Sequence, residues 1–350
     1  MLPDALSASA LGRSAMLSRP LRERLEATTA QVATGRVAEL YGDLGPAARR
    51  SIDLRGEVGR LDAHAQAIGR TLGRAGAMQE ALGRLHAIAT GFAAEALRLH
   101  TLPAEAAATA AAAARAALEE VAGLLNLAQD GEYLFAGEDS GQPPVVVAGP
   151  VASSPLVQQI ALAVAGLAPG TAPAVIAATV AAATDPAAAN NPFARFTVPP
   201  AVAAESFARS TLAGDGHAVA WGVFAAEGSA AAGVVELVRG LAILAALTPA
   251  AMAQGADTAA LLEDVRAALA GSGRAIALEQ ARLGDAERRL AAAREGAAER
   301  VLLLRKQVAA IEDVDVAETV AQLHELRGRL EASYRVTALL AELSLARFLR

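Results

Sequence analysis

Apolar residues recur at alternating spacings of four and three along Leu54, Val58, Leu61, Ala65, Ile68, Leu72, Ala75, Gln79, Leu82, His86 and Ala89. A mean period of 3.5 keeps one stripe of a helix facing a partner, whereas a lone surface helix follows 3.6, so the pattern predicts a coiled-coil seam. Gln79 and His86 fall on that stripe and are expected to weaken it locally. The far end of the chain repeats the signature in Leu283, Leu290, Ala297, Val301, Leu304, Val308 and Ile311, with Arg and Glu crowding the other positions. It resumes after a short acidic break as Leu323, Leu326, Leu330 and Tyr334. A shorter stripe, Leu21, Leu25, Thr28 and Val32, precedes a turn marked by Gly42 to Pro46.

Between these arms the pattern changes. An Ala-rich helix is predicted over about 104–128, with Pro103 suited to its first turn, and it is expected to stop at Asp130-Gly131 as a helical C-terminal glycine. Tyr133-Leu134-Phe135 then reads as an extended segment leaving the bundle. From Ser140 to about Pro200 charges thin out and Pro becomes frequent, which predicts short helices near 154–167 and 172–183 joined by turns. A strand pair, 207–212 and 219–224, would flank Gly214-Asp215-Gly216. Helix returns over about 228–247 and 258–269, with Gly271-Ser272-Gly273 read as a turn between helices.

The expected fold is mainly α: an antiparallel helical bundle or coiled-coil rod built from both chain ends, with a small α+β insert. The segments are an N-terminal arm over 1–140, an insert over 141–227 and a C-terminal arm over 228–350. The seam residues Leu54, Val58, Leu61, Ile68, Leu72, Leu82, Leu290, Val301, Leu304, Val308, Ile311, Leu323, Leu330 and Tyr334 are the candidate subunit-packing positions.

Composition narrows the function. Hydrophobic residues make up 54% of the 350, but much of that is Ala, a helix former too small to supply a lipid-facing span. The most apolar stretches are broken, 156–183 by Gln158, Gln159, Gly166, Pro169, Gly170 and Pro173, and 234–247 by Glu236 and Arg239, so no membrane segment is expected. The N-terminus lacks a basic start leading into an apolar run, so no cleaved signal is expected either. The 0 cysteines exclude disulfides, zinc-thiolate sites and thiol catalysis. A net charge of −6, with Lys306 as the sole lysine, leaves no basic face for nucleic acid.

Catalytic constellations are missing from the pattern. His64, His86, His100, His217 and His324 show no metal-ligand spacing, and Lys306 follows no Gly-rich loop. Glu312, Asp313 and Asp315 read as carboxylates that face water at a helix break and cap the next helix. Trp221 and the tyrosines read as buried packing anchors. The chain is therefore expected to be non-enzymatic and to need no cofactor or metal.

Four segments resemble one family. Gln31-Val32-Ala33-Thr34-Gly35-Arg36 is similar to the turn that ends the first helix of bacterial flagellins, and Ile311-Glu312-Asp313-Val314-Asp315-Val316-Ala317-Glu318 to the I-x-D-V-D-x-A-E signature of their C-terminal arm. Gly131-Glu132-Tyr133-Leu134-Phe135-Ala136-Gly137 and Leu330-Glu331-Ala332-Ser333-Tyr334, followed by Leu343-Ser344-Leu345, resemble the hook–filament junction branch of that family. The resemblance covers about residues 20–140 and 275–350. It departs at Tyr41 to Arg49, where flagellins carry an acidic segment, and Phe348-Leu349-Arg350 is similar to the ending of filament flagellins. The resemblance implies a structural subunit joining hook to filament, located on the extracellular flagellum and exported without a cleaved signal peptide. It also implies self-association, contact with other axial proteins (hook-associated protein and flagellin) and an export chaperone. Filament flagellin, or a cytoplasmic coiled-coil adaptor, are the alternatives.

Overall fold

The computed structural model describes residues 3–137, 140–146, 149–197, 209–212, 218–222 and 228–348, with side chains from 18 to 339 within these apart from 209, 228 and 229. The chain is mainly α. Among the described residues its α-helices are α1 (Pro3–Thr34), α2 (Ala47–Leu99), α3 (Ala106–Leu125), α4 (Pro155–Ala165), α5 (Ala172–Ala183), α6 (Gly228–Ala246), the one-turn α7 (Pro249–Met252), α8 (Ala256–Glu312) and α9 (Val316–Phe348). Antiparallel strand pairs accompany them among the described residues, β1 (Ala128–Gln129) with β2 (Glu132–Tyr133) and β3 (Arg209–Leu212) with β4 (Ala218–Trp221). Gly214 to Gly216 and His217, placed by the sequence between the second pair, lie outside the described residues.

The chain forms two compact units, one of residues 1–63 with 297–350 and one of residues 64–296. Both arms contribute to both units. In the first, α1 packs along α9, and the first part of α2 meets the last part of α8 through ion pairs at Arg55–Glu312 and Asp62–Arg305.

The second unit holds the contiguous hydrophobic core, which runs from Ile68 to Leu290 along the chain. There α2 and α8 run antiparallel, since Gln79 sits by Gln280 and Gly284, Gly83 by Gln280, and Thr90 by Gly273. Gln79 Nε2 donates to Gln280 O at 2.8 Å and His86 Nδ1 donates to Gly273 O at 2.9 Å. The two polar seam residues thus tie the helices together rather than weaken the seam, because a neighbouring backbone carbonyl satisfies each side chain.

Several sequence expectations are corrected. Gly271-Ser272-Gly273 lies inside α8 and is not a turn: a Cβ on Gly273 would stand 3.3 Å from Thr90 Cγ2, so the small residue lets α2 approach. Helix α3 is shorter than the Ala-rich run, and Asp130-Gly131 is not its cap. Asp130 (φ 55°) and Gly131 (φ 80°) form the two-residue turn of the β1–β2 hairpin, with Ala128 opposite Tyr133 and Gln129 opposite Glu132. Two consecutive positive φ angles are what such a hairpin turn requires, and Asp-Gly supplies them. The hairpin carries Leu134 and Phe135 into the core, both nearly inaccessible.

The insert packs onto the core as a helical layer. Ser154 caps α4 by accepting from Val157 N, and α4 and α5 both contact α6, which also packs on α3. Asp257, at the start of α8, accepts from Gly170 N and Ala172 N, so the carboxylate sits at the N-terminus of α5 and its pKa falls below the usual range. Trp221 is buried, as expected, with Nε1 donating to Thr211 Oγ1 at 3.0 Å. Tyr41 and Tyr334 are not buried anchors; both are about half exposed.

Candidate functional site

The candidate packing residues divide by environment. Leu61, Ile68, Leu82, Leu290, Val301, Val308 and Leu323 are buried within the single chain, Ile68 and Leu290 completely. Leu54, Val58, Leu72, Leu304, Ile311 and Leu330 are partly covered, and Tyr334 is exposed. Ile68, Leu82 and Leu290 join the core of the second unit, with Leu72 packed against it. Val58 and Val308 line a groove of the first unit together with Arg55 and Arg305.

A second buried stripe on α2, Met78, Ala81, Leu85 and Ile88, is absent from the expected seam. Its own 3-4-3 spacing was visible in the sequence. In the second unit α2 packs on more than one neighbour, and Arg84 pairs with Glu120 of α3, so two of its faces are covered.

The two family-like terminal motifs meet in the first unit. Helix α1 ends because Gly35 takes a left-handed conformation (φ 71°), which only glycine adopts at no steric cost, while its N–H still reaches Gln31 O at 2.8 Å. Gln31 Nε2 donates back to Val37 O at 2.9 Å and folds the turn onto the helix. The turn then pairs with the break between α8 and α9: Val37 N donates to Glu312 O at 2.7 Å and Val314 N to Gly35 O at 3.0 Å, which places Arg36 opposite Asp313 in an antiparallel bridge. Asp315 opens α9 by accepting from Ala317 N and Glu318 N at 2.9 and 3.2 Å, the cap expected from sequence.

Glu312 departs from expectation. Its side chain does not face water but lies buried against α2, where it accepts from Ser51 Oγ and from Arg55 Nε (2.8 Å) and Nη2. The hydrogen bonds from Arg55 foremost, aided by Ser51 and by the nearby charge of Arg36, outweigh the effect of burial and hold the carboxyl at about 2. Arg55 is stabilised as the cation by the same bonds. The spacing of Ser51 and Arg55, one helical turn apart, puts both on one face of α2.

Large apolar side chains also point outward from the first unit: Leu40, Ile52, Leu302, Leu303, Val316, Val336 and Leu339 are each at least half exposed. Leu302 and Leu303 adjoin buried Val301, so α8 carries apolar residues on its outer as well as its inner side. Such residues break no heptad spacing of their own, so the 3.5-residue period marks only the buried face.

Among the described residues no group of three or more His, Asp or Glu gathers as a metal site, and no helix is long and apolar enough to cross a membrane.

Residues 270–349 match the model of the bacterial flagellin C-terminal helical region. The matched stretch coincides with most of α8 and all of α9 and is similar to that region of flagellins. No curated protein matches the sequence.

Proposed function

We propose that this chain is a non-enzymatic structural subunit of the bacterial flagellum that joins hook to filament, assembling through its terminal helices. The observation that carries the flagellar reading is the match of residues 270–349 to the flagellin C-terminal helical region, and within that stretch lies the Ile311–Glu318 motif that receives the turn after α1. The junction role rests on the Gly131–Gly137 and Leu330–Tyr334 segments, which are similar to that branch. Exposed apolar residues on α2, α8 and α9 of the first unit supply surface whose burial against neighbouring subunits is favourable. The core seam residues then act inside the subunit, and the outward residues together with half-exposed Tyr334 make the contacts. Partners on this reading are further copies of the chain, hook-associated protein and flagellin, with an export chaperone before assembly. The location is extracellular, reached without a cleaved signal peptide.

Electron microscopy of a strain lacking the gene, with an immunoblot for flagellin in the culture fluid, tests the proposal. Hooks without filaments and flagellin shed into the medium are expected. Intact hooks bearing normal filaments would refute the junction role. Hooks bearing no filament, with no flagellin shed, would favour the filament-flagellin reading suggested by Phe348-Leu349-Arg350. Confinement of the protein to the cell interior would favour the adaptor.

A further inference from the structure

We propose that Glu312 is the latch of a conformational joint: its carboxylate, held by Ser51 and Arg55 of α2, fixes the backbone bridge that orders the end of α1 and the start of α9 together. Three chain segments converge on this one residue. Its side chain accepts from α2, its backbone carbonyl accepts from Val37 N at 2.7 Å, and two residues later Val314 N donates to Gly35 O. Only Asp313, Val314 and Asp315 separate α8 from α9, so a shift of Glu312 is transmitted to the Asp315 cap with little slack. On the other strand of the bridge Gln31 holds Val37, so the same shift reaches the last turn of α1.

Helices α1 and α9 pack on each other, and the short segment 313–315 is what joins α9 to α8. The latch therefore sets whether the pair is held in place or swings free. Charge-assisted hydrogen bonds to a buried carboxylate are the strong ones, and losing them leaves Ser51 and the backbone bridge without their anchor. This device does not depend on the flagellar reading, because it operates within one chain.

Hydrogen–deuterium exchange of the full-length purified protein tests it, comparing wild type with Glu312→Gln and with Arg305→Ala, which breaks only the neighbouring pair with Asp62. In Glu312→Gln, exchange over residues 31–38 and 313–320 should rise together, by about tenfold or more as the loss of charge-assisted bonds implies. Core amides of α3 and α6 should be unchanged, and Arg305→Ala should behave as wild type. Wild-type protection at both segments in Glu312→Gln, a rise in one segment only, or an equal rise in Arg305→Ala would overturn the latch. If Glu312→Gln loses its helical circular dichroism, Ser51→Ala, which removes one of the bonds, takes its place: a paired rise at both segments supports the latch, and wild-type exchange overturns it.

Discussion

At the scale of single residues, Glu312 shows how position decides the chemistry of a side chain. Asp313, Asp315 and Glu312 share one short acidic stretch, yet only Glu312 points into α2, and there the Arg55 guanidinium holds it at about 2 against an ordinary value of 4.5. A carboxyl whose pKa falls on folding contributes stability that is fully present above its unfolded pKa and is lost as pH drops through the folded value. Wild type should therefore lose the contribution of Glu312 between roughly pH 4.5 and 2. Glu312→Gln should lower stability by about 2 kcal/mol at pH 7, a typical cost for bonds to a charged group. Urea melts of both proteins at pH 7, 4 and 2.5 check this: the gap should be widest at pH 7, persist at pH 4 and narrow by pH 2.5. A gap that grows toward low pH would contradict the assignment.

At the scale of helices, close approach explains glycines that a propensity argument would count against α6 and α8. A Cβ on Gly240 would lie 2.8 Å from Leu269 Cγ and Cδ2, and Leu269 is fully buried. Gly233, two turns earlier on the same helix, would place its Cβ 3.0 Å from Ala275 Cβ. Gly240→Ala should thus destabilise by about 1–3 kcal/mol through overpacking. In contrast, Gly328 lies mid-helix in α9 with nothing within 4 Å of a built Cβ, so Gly328→Ala should stabilise by about 0.5–1 kcal/mol by reducing the freedom of the unfolded chain. Opposite shifts of thermal midpoint in the two variants are the expected reading, and a matching sign in both would contradict the packing account. Between the same helices, buried Arg239 of α6 reaches Glu236, Asp264 of α8 at 2.6 Å and Thr179 of α5, so burial of the cation is offset by two carboxylates and a hydroxyl.

At the scale of the whole molecule, inner and outer apolar residues have different roles. Those in the core hold the folded chain together, whereas Leu302 and Leu303, each more than half exposed, add little to its interior. Leu302→Glu with Leu303→Glu should leave monomer stability within about 0.5 kcal/mol of wild type, as surface changes generally do. If these residues pack against neighbouring subunits, the same variant should be made and exported but not incorporated, because each interface would then bury unpaired carboxylates. Immunogold labelling of cells complemented with the variant, beside a thermal melt of the purified protein, separates the two effects. Normal incorporation would remove these side chains from the interface.

Helical arms, the insert helices and the α9 cap at Asp315 were legible in the sequence because period, capping and Pro placement act over a few residues of chain. The heptad stripe through Leu61, Ile68 and Leu82 and the start of α5 at 172 needed no knowledge of distant partners. Asp130-Gly131 was legible as a break but misassigned, since the same two residues suit a helix end or a hairpin and only the pairing of Ala128 with Tyr133 distinguishes them. Gly271-Ser272-Gly273 reads as a turn until Thr90 is brought against it. The burial of Glu312 lay beyond any local pattern: Ser51 and Arg55 are more than 250 residues away along the chain. Local backbone preference and periodicity, which the sequence carries by itself, determined where helices form; which faces close, which glycines admit a neighbour and which carboxylate becomes buried depend on contacts between remote segments, and those the tertiary structure alone decided.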